Sequence, residues 1–178
     1  MLAACGSSDP ATQSGAGAAA FGWLAPSAPP RAWAAARLPA GPSVLAHPTS
    51  WRAIKTDAGT VSVARKSNGQ ITGYLNVTPQ SGDETLANWP AFRAAHNREE
   101  GDEDVTQSAA ATGLAFRDAK GSCVIDDYST TTNRRYREIA CIVEGPSATT
   151  VVVGAAPPRL WQGTAPVLER AISGFSAG

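Results

Sequence analysis

The sequence predicts an α+β domain, with helices laid over an otherwise antiparallel sheet. Three observations carry that reading. Gly121 to Glu144 consists of two β-rich runs flanking a polar Ser-Thr-Thr-Thr-Asn-Arg segment, the pattern of a hairpin with a longer loop. Asn68-Gly69 lies between two alternating runs and is the strongest short hairpin signal. Within the domain, helical composition falls in an insertion at Asp83 to Glu100 and in a closing segment ending near Phe175.

The chain opens Met1-Leu2-Ala3-Ala4-Cys5-Gly6. This resembles the lipobox of bacterial lipoproteins, in which Leu-Ala-Ala or a similar triplet precedes a cysteine that is acylated. The resemblance implies a diacylglyceryl group on Cys5 and, through it, a membrane partner. The charged and apolar segments that precede the box in that family are missing before Met1, through a start placed too late or a trimmed chain. From Gly6 to Pro42 the residues are mostly Ala, Gly, Ser and Pro, which bury too little apolar surface to offset their ordering entropy. Residues 1–42 are therefore expected to be anchor and flexible tether, and residues 43–178 the domain. Within the tether, Phe21, Trp23 and Leu24 form an apolar cluster, and Arg31 to Arg37 reads as a short helix carrying Trp33. These aromatics either dock loosely on the domain or form a partner-binding peptide.

The domain begins with a strand at Trp51 to Lys55. Asp57-Ala58-Gly59 turns the chain, and Thr60 to Arg65 alternates with period two. After Asn68-Gly69 a further strand, Ile71 to Thr78, runs to a stop at Pro79 to Gly82. The inserted helix sets Leu86, Trp89, Phe92 and Ala95 or His96 on one face. Pro90 conflicts with a continuous helix, so Asn88 is expected to cap a fresh start from about Trp89 to Glu99, closed by Gly101. Val105 to Phe116 reads as strand, with Gly113 marking a bulge. Thr149 to Val153 is apolar enough to lie centrally in the sheet. Pro157-Pro158 ends it and opens a helical turn around Leu160 and Trp161. Thr164 restarts a last helix whose buried stripe is Leu168, Ala171, Ile172 and Phe175.

The central hairpin fixes its own register. With Cys123 facing Cys141, one face pairs Ile125 with Ile139 and Asp127 with Arg137. The other pairs Val124 with Ala140, Asp126 with Glu138, and Tyr128 with Tyr136. All but one of these pairs are chemically sensible, so a Cys123–Cys141 disulfide is expected, implying an oxidising compartment. The alternative is two buried, reduced thiols in a cytosolic core. Anchor, tether and disulfide together point outside the cytoplasm, on the bacterial cell membrane.

The lead-in Pro48-Thr49-Ser50-Trp51, the early hairpin, the inserted helix, the strand meander and Ala155-Ala156-Pro157-Pro158 before a Val167-to-Phe175 helix resemble the PsbP-like fold. That fold is shared by photosystem II extrinsic proteins, a Ran-binding transport factor and bacterial lipoproteins of unknown role. The resemblance covers about Val44 to Ala177 and implies a central antiparallel sheet sandwiched between helices. It implies no catalytic residues, and the metal sites and Ran-contacting surface of its better-known members have no counterpart in this sequence.

Fifteen basic residues balance fifteen acidic ones, which argues against nucleic acid as a partner. No apolar run approaches the roughly 18 residues a membrane-spanning helix needs. The unfavourable pair is Asp126 with Glu138. Close carboxylates require protonation, a metal or flanking cations, and Arg134, Arg135 or Arg137 are the candidates for the last. Asp126, Glu138, Arg134 and Arg135 are therefore the candidate ligand-binding residues. The acidic run Glu99 to Asp104 lacks the spacing of a calcium loop and reads as solvated. His47 and His96 pair with no nucleophile, and no nucleophile elbow, metal-binding helix motif or phosphate loop appears. The expected function is a non-enzymatic binding or accessory module of the envelope, monomeric and without cofactor or resident metal, taking an envelope protein or small ligand. Recognition is expected on loops at Ser129 to Arg135 or Pro79 to Asp83. The alternatives are a metal- or ligand-dependent enzyme built on Asp126 and Glu138, and a tethered spacer that binds nothing.

Overall fold

The computed structural model describes residues 14–178, with side chains from residue 17. Its helices are α1 (Ser14–Ala19), α2 (Trp89–Glu99) and α3 (Trp161–Ser173), the last preceded by a 3-10 turn at Pro158–Leu160. The strands are β1 (Ala34–Arg37), β2 (Val44–His47), β3 (Arg52–Ala53), β4 (Val61–Ser67) and β5 (Gln70–Pro79), then β6 (Glu103–Phe116), β7 (Ala119–Ser129), β8 (Arg135–Glu144) and β9 (Thr149–Ala156). Strands β3 to β9 form one antiparallel sheet in the order β3-β4-β5-β9-β8-β7-β6, and β1 pairs with β2 separately. The apolar run of β9 lies centrally, between β5 and β8, as its composition predicts. Each face of the sheet carries a core. Leu168, Ala171, Ile172 and Phe175 pack with Leu75, Val77, Cys123, Ile139 and Val152 on one side. Trp89 packs with Val124, Ala140, Ile142, Val151 and Val153 on the other. The fold is thus the expected α+β one, a central antiparallel sheet between helices.

The β7–β8 register is the one the sequence dictates. Cys123 faces Cys141, Ile125 faces Ile139, Asp127 faces Arg137, Val124 faces Ala140, Asp126 faces Glu138, and Tyr128 faces Tyr136. A disulfide joins Cys123 and Cys141 across the strands, with Cα atoms 4.1 Å apart and both residues fully buried. The bridge closes a loop with a sequence separation of 18. Reducing it is expected to lower stability by about 2–3 kcal/mol, chiefly by enlarging the unfolded ensemble. Urea unfolding with and without reductant measures this, and coincident curves would contradict it.

Local chemistry explains most boundaries. Asn68 (φ 49°) and Gly69 (φ 75°) both adopt positive φ in the β4–β5 turn, as a two-residue hairpin loop requires. Gly113 (φ 70°) sits where the β6–β7 register shifts between Ala111 and Leu114, the predicted bulge. Helix α2 spans the predicted residues and stops at Gly101 (φ 89°).

Other expectations need correction. Asn88 does not cap α2: its Oδ1 accepts the Thr85 N–H at 2.6 Å while Thr85 Oγ1 accepts the Asn88 N–H at 3.1 Å. The chain therefore rolls from a turn at Thr85 into the helix, with Pro90 in the first helical turn, where its missing N–H is harmless. Helix α3 starts at Trp161 rather than Thr164 and runs through Pro166. The strand expected at Trp51 to Lys55 shortens to Arg52–Ala53. Trp51 turns inward over Gly73, where a side chain would strike the indole ring.

The largest correction concerns the tether. Cys5 and residues 1–13 lie outside the described residues, but between Ala20 and Leu38 the chain is anchored on the domain at several points. Phe21 and Leu38 are 2% and 5% exposed and join the core, with Trp23, Leu24 and Trp33 packed against it. The Ser27 N–H donates to the Ser173 carbonyl at 3.2 Å. Ala34–Arg37, expected to be helical, is a strand paired with β2, so the proposed boundary at 42 cuts a hairpin. Composition averaged over this segment hides a few apolar anchors, and strand pairing overrides the helix propensity of Ala34 to Ala36.

A polar cleft over the uncovered half of the sheet

Three residues spaced by one helical turn project from α2 onto the sheet. Trp89, 1% exposed, donates its indole N–H to the Ala140 carbonyl at 2.9 Å and seats the helix on β8. One turn on, Arg93 forms a bidentate fork on Glu138, with Nε at 2.7 Å from Oε1 and Nη2 at 2.9 Å from Oε2. After another turn the Asn97 amide donates to Oε1 at 3.3 Å. Ala140 and Glu138 share a face of β8 because strand side chains alternate. The helix spacing and the strand spacing thus match, and Glu138 is fully buried with both oxygens satisfied. Burial alone would pull the Arg93 guanidinium down, but the Glu138 carboxylate beside it prevails and raises it.

On β7, Asp126 faces Glu138 of β8 and Gln107 of β6. It is fully buried, and neither carboxylate oxygen has a hydrogen-bond partner among the described residues. Burial, and then the charge of Glu138, push its pKa up to about 7, against the smaller opposing effects of the Gln107 amide and Arg93. Burial likewise raises the Tyr128 phenol well above its ordinary value, with Glu138 adding to it. The Tyr74 phenol is raised by burial despite a hydrogen bond to Ser62.

Helix α2 lies over β6 and β7, and Trp89 reaches β8 and β9. The rest of this sheet face is not covered by it. The result is a cleft of about 640 Å³. Tyr74, Asn76 and Thr78 of β5 and Val151 and Val153 of β9 form its floor, with Tyr128 and Glu138 at the inner end. Arg93, His96 and Asn97 of α2 make one wall, and the β3–β4 connection from Ile54 to Asp57 makes the other. Asn76 is held by donating to Ser62 Oγ at 2.8 Å.

The candidate residues separate into two places. Asp126 and Glu138 meet as expected, but Arg134 and Arg135 do not screen them and line a different groove. Arg137 binds Asp127 at 2.7 Å on the opposite face and lies over the Trp161 ring, 5.8 Å from its centroid. The screening cation is Arg93, which sequence reasoning missed by taking Trp89, Phe92 and Ala95 or His96 as the buried face. Trp89, Arg93 and Asn97 recur every fourth residue, and that spacing is the signal that finds them. Phe92 is instead half-buried, stacked between Trp89 and His96, and Ala95 is exposed. No group of three or more His, Cys, Asp or Glu among the described residues is arranged to hold a metal ion.

No protein-family model matches the chain, and no curated protein matches it in sequence. Its fold is nevertheless found among solved structures. Cyanobacterial PsbP from Synechocystis sp. PCC 6803 superposes with a TM-score of 0.57 at 12% identity, covering 83% of this chain and 93% of that one. A protein of unknown function from Pseudomonas aeruginosa gives 0.52 at 14% identity, covering 79% and 94%. LpqN of Mycobacterium tuberculosis, involved in cell envelope biogenesis, gives 0.44 at 15% identity, covering 79% and 87%. The fold is PsbP-like, as the order of elements in the sequence implies.

Proposed function

We propose that this chain is a non-enzymatic binding module of the bacterial cell envelope. A lipid on Cys5 holds it at the membrane, and the cleft beside α2 takes a small polar ligand or a side chain of an envelope partner. The cleft carries the reading. Its floor offers the hydroxyls of Tyr74, Tyr128 and Thr78 and the Asn76 amide above a base already rigid through the Arg93–Glu138 fork. Rigid polar groups in a concave site suit recognition. The placement of the two central carboxylates supports binding rather than catalysis. Both Glu138 oxygens are held by Arg93, so Glu138 is no general base, and Asp126, for all its raised pKa, does not line the cleft. The buried disulfide and the lipobox-like start support an extracytoplasmic setting.

Native mass spectrometry of the full chain, released from envelopes with detergent, tests both parts. The expected spectrum shows a diacylglyceryl increment on Cys5 and a retained small molecule absent from Thr78→Trp, whose ring fills the cleft from its floor. An unmodified Cys5 overturns the anchor. Wild-type protein carrying nothing that Thr78→Trp lacks overturns the cleft.

A further inference from the structure

At one end of the sheet the β4–β5 turn, the β7–β8 loop and the Pro158–Leu160 turn converge around two adjoining grooves of about 440 and 560 Å³. The first is lined by Arg134, Arg135 and Arg159, the second by Arg65, Lys66 and Arg159. Gln70 and Arg159 line both, which sets Arg159 between the other two pairs of cations. No carboxylate lines either groove. The formal net charge of the chain is zero, so this is segregation of charge and not an overall basic excess. Neither groove shares a lining residue with the cleft beside α2.

The cations are held but not neutralised. None of the five takes part in an ion pair among the described residues. Arg65 is oriented by hydroxyls, donating to Thr72 Oγ1 at 3.1 Å and to Thr164 Oγ1 at 2.9 Å. The loop bearing Arg134 is braced at both ends. Thr130 N–H donates to the Arg134 carbonyl at 2.9 Å, Arg134 N–H donates to Thr130 Oγ1 at 3.2 Å, and Asn133 takes a positive φ of 56° between them. Gathering like charges without counter-charge is unfavourable unless an anion relieves it. Guanidinium forks match the oxygens of phosphate two at a time. Cations strung along two joined grooves fit a row of anionic groups better than a single one.

We propose that the joined grooves bind a ligand carrying two or more phosphate groups, whether free in solution or displayed by lipid headgroups. The probes are sodium tripolyphosphate, followed by calorimetric titration of the full chain, and vesicles of phosphatidylcholine with and without phosphatidylglycerol, followed by co-sedimentation. Saturable binding in either arm is expected, and the arm that binds identifies the source. Affinity should fall as salt rises from about 50 to 200 mM. Arg159→Glu should weaken binding at least about tenfold, as loss of charge-assisted hydrogen bonds and reversal of the central charge require. Arg98→Glu, the same charge change on the exposed side of α2, should leave affinity unchanged. Both variants should keep the wild-type unfolding midpoint. No binding in either arm overturns the proposal, as does an equal loss in Arg98→Glu, which would reduce it to bulk charge. Thr78→Trp should bind as wild type, so failure here and failure of the cleft reading are separately visible.

Discussion

Arg93→Met is expected to destabilise the domain by about 3–5 kcal/mol, because it strands a buried carboxylate without its partner. Glu138 is fully buried, and Arg93 satisfies both its oxygens while only 14% exposed itself. The Asn97 contact at 3.3 Å is too long and too neutral to replace a bidentate guanidinium. Removing both charges tells a different story. The double variant Arg93→Met/Glu138→Gln should recover most of the loss, since desolvating an ion pair consumes much of what the pair returns. Urea unfolding at neutral pH measures all three proteins. A loss under about 1 kcal/mol in the single variant would mean that water reaches Glu138 and the pair is not truly buried.

Stability is also expected to fall by about 2–4 kcal/mol as pH rises from about 4 to 7, through Asp126. In the unfolded chain this carboxyl has its ordinary value of 3.8, while burial beside Glu138 pushes it up to about 7 in the folded protein. Between those values the folded state holds a proton that the unfolded state has released, so raising the pH favours unfolding. Below the window both states are protonated, and above it both are ionised, so the Asp126 contribution is level on either side. Asp126→Asn keeps the shape and removes the charge. It should abolish the decline and exceed the wild type in stability at pH 8. Unfolding curves at pH 5 and 8 decide the point: equal wild-type midpoints, or a less stable Asp126→Asn at pH 8, would place a partner on the carboxylate.

The β-rich parts of the fold were legible because strand pairing writes complementary residues at matched positions. Cys123 and Cys141 alone set the β7–β8 register, and every pair from Val124–Ala140 to Tyr128–Tyr136 followed. Asn68-Gly69 and Gly113 were legible because few residues tolerate positive φ. The candidate site was half legible. The same register placed Asp126 beside Glu138, but Arg93 comes from a helix 45 residues earlier in the chain, and no local rule links the two. The helix misled because Phe92 and His96 suggest an apolar face, whereas the seated face mixes Trp89 with polar Arg93 and Asn97. A buried arginine becomes intelligible only when the acid beneath it is known. The anchoring of the chain between Ala20 and Leu38 was illegible for a related reason. Phe21 and Leu38 find their pockets on elements formed by the rest of the chain, and an Ala- and Pro-rich background gives them no periodicity.

The flanks of the sheet bear on how this protein behaves when crowded. On one side the outermost strand is β3, only Arg52–Ala53. On the other, β6 is long, but its pairing breaks at three places and α1 lies against it, with no room for a side chain between Gly17 and the Ala110 carbonyl. Neither border offers a second copy an unbroken row of amide donors and acceptors on which to add a strand. A chain without net charge has little electrostatic repulsion to keep its copies apart. Here that task falls to geometry, which keeps crowded copies from zipping into fibres.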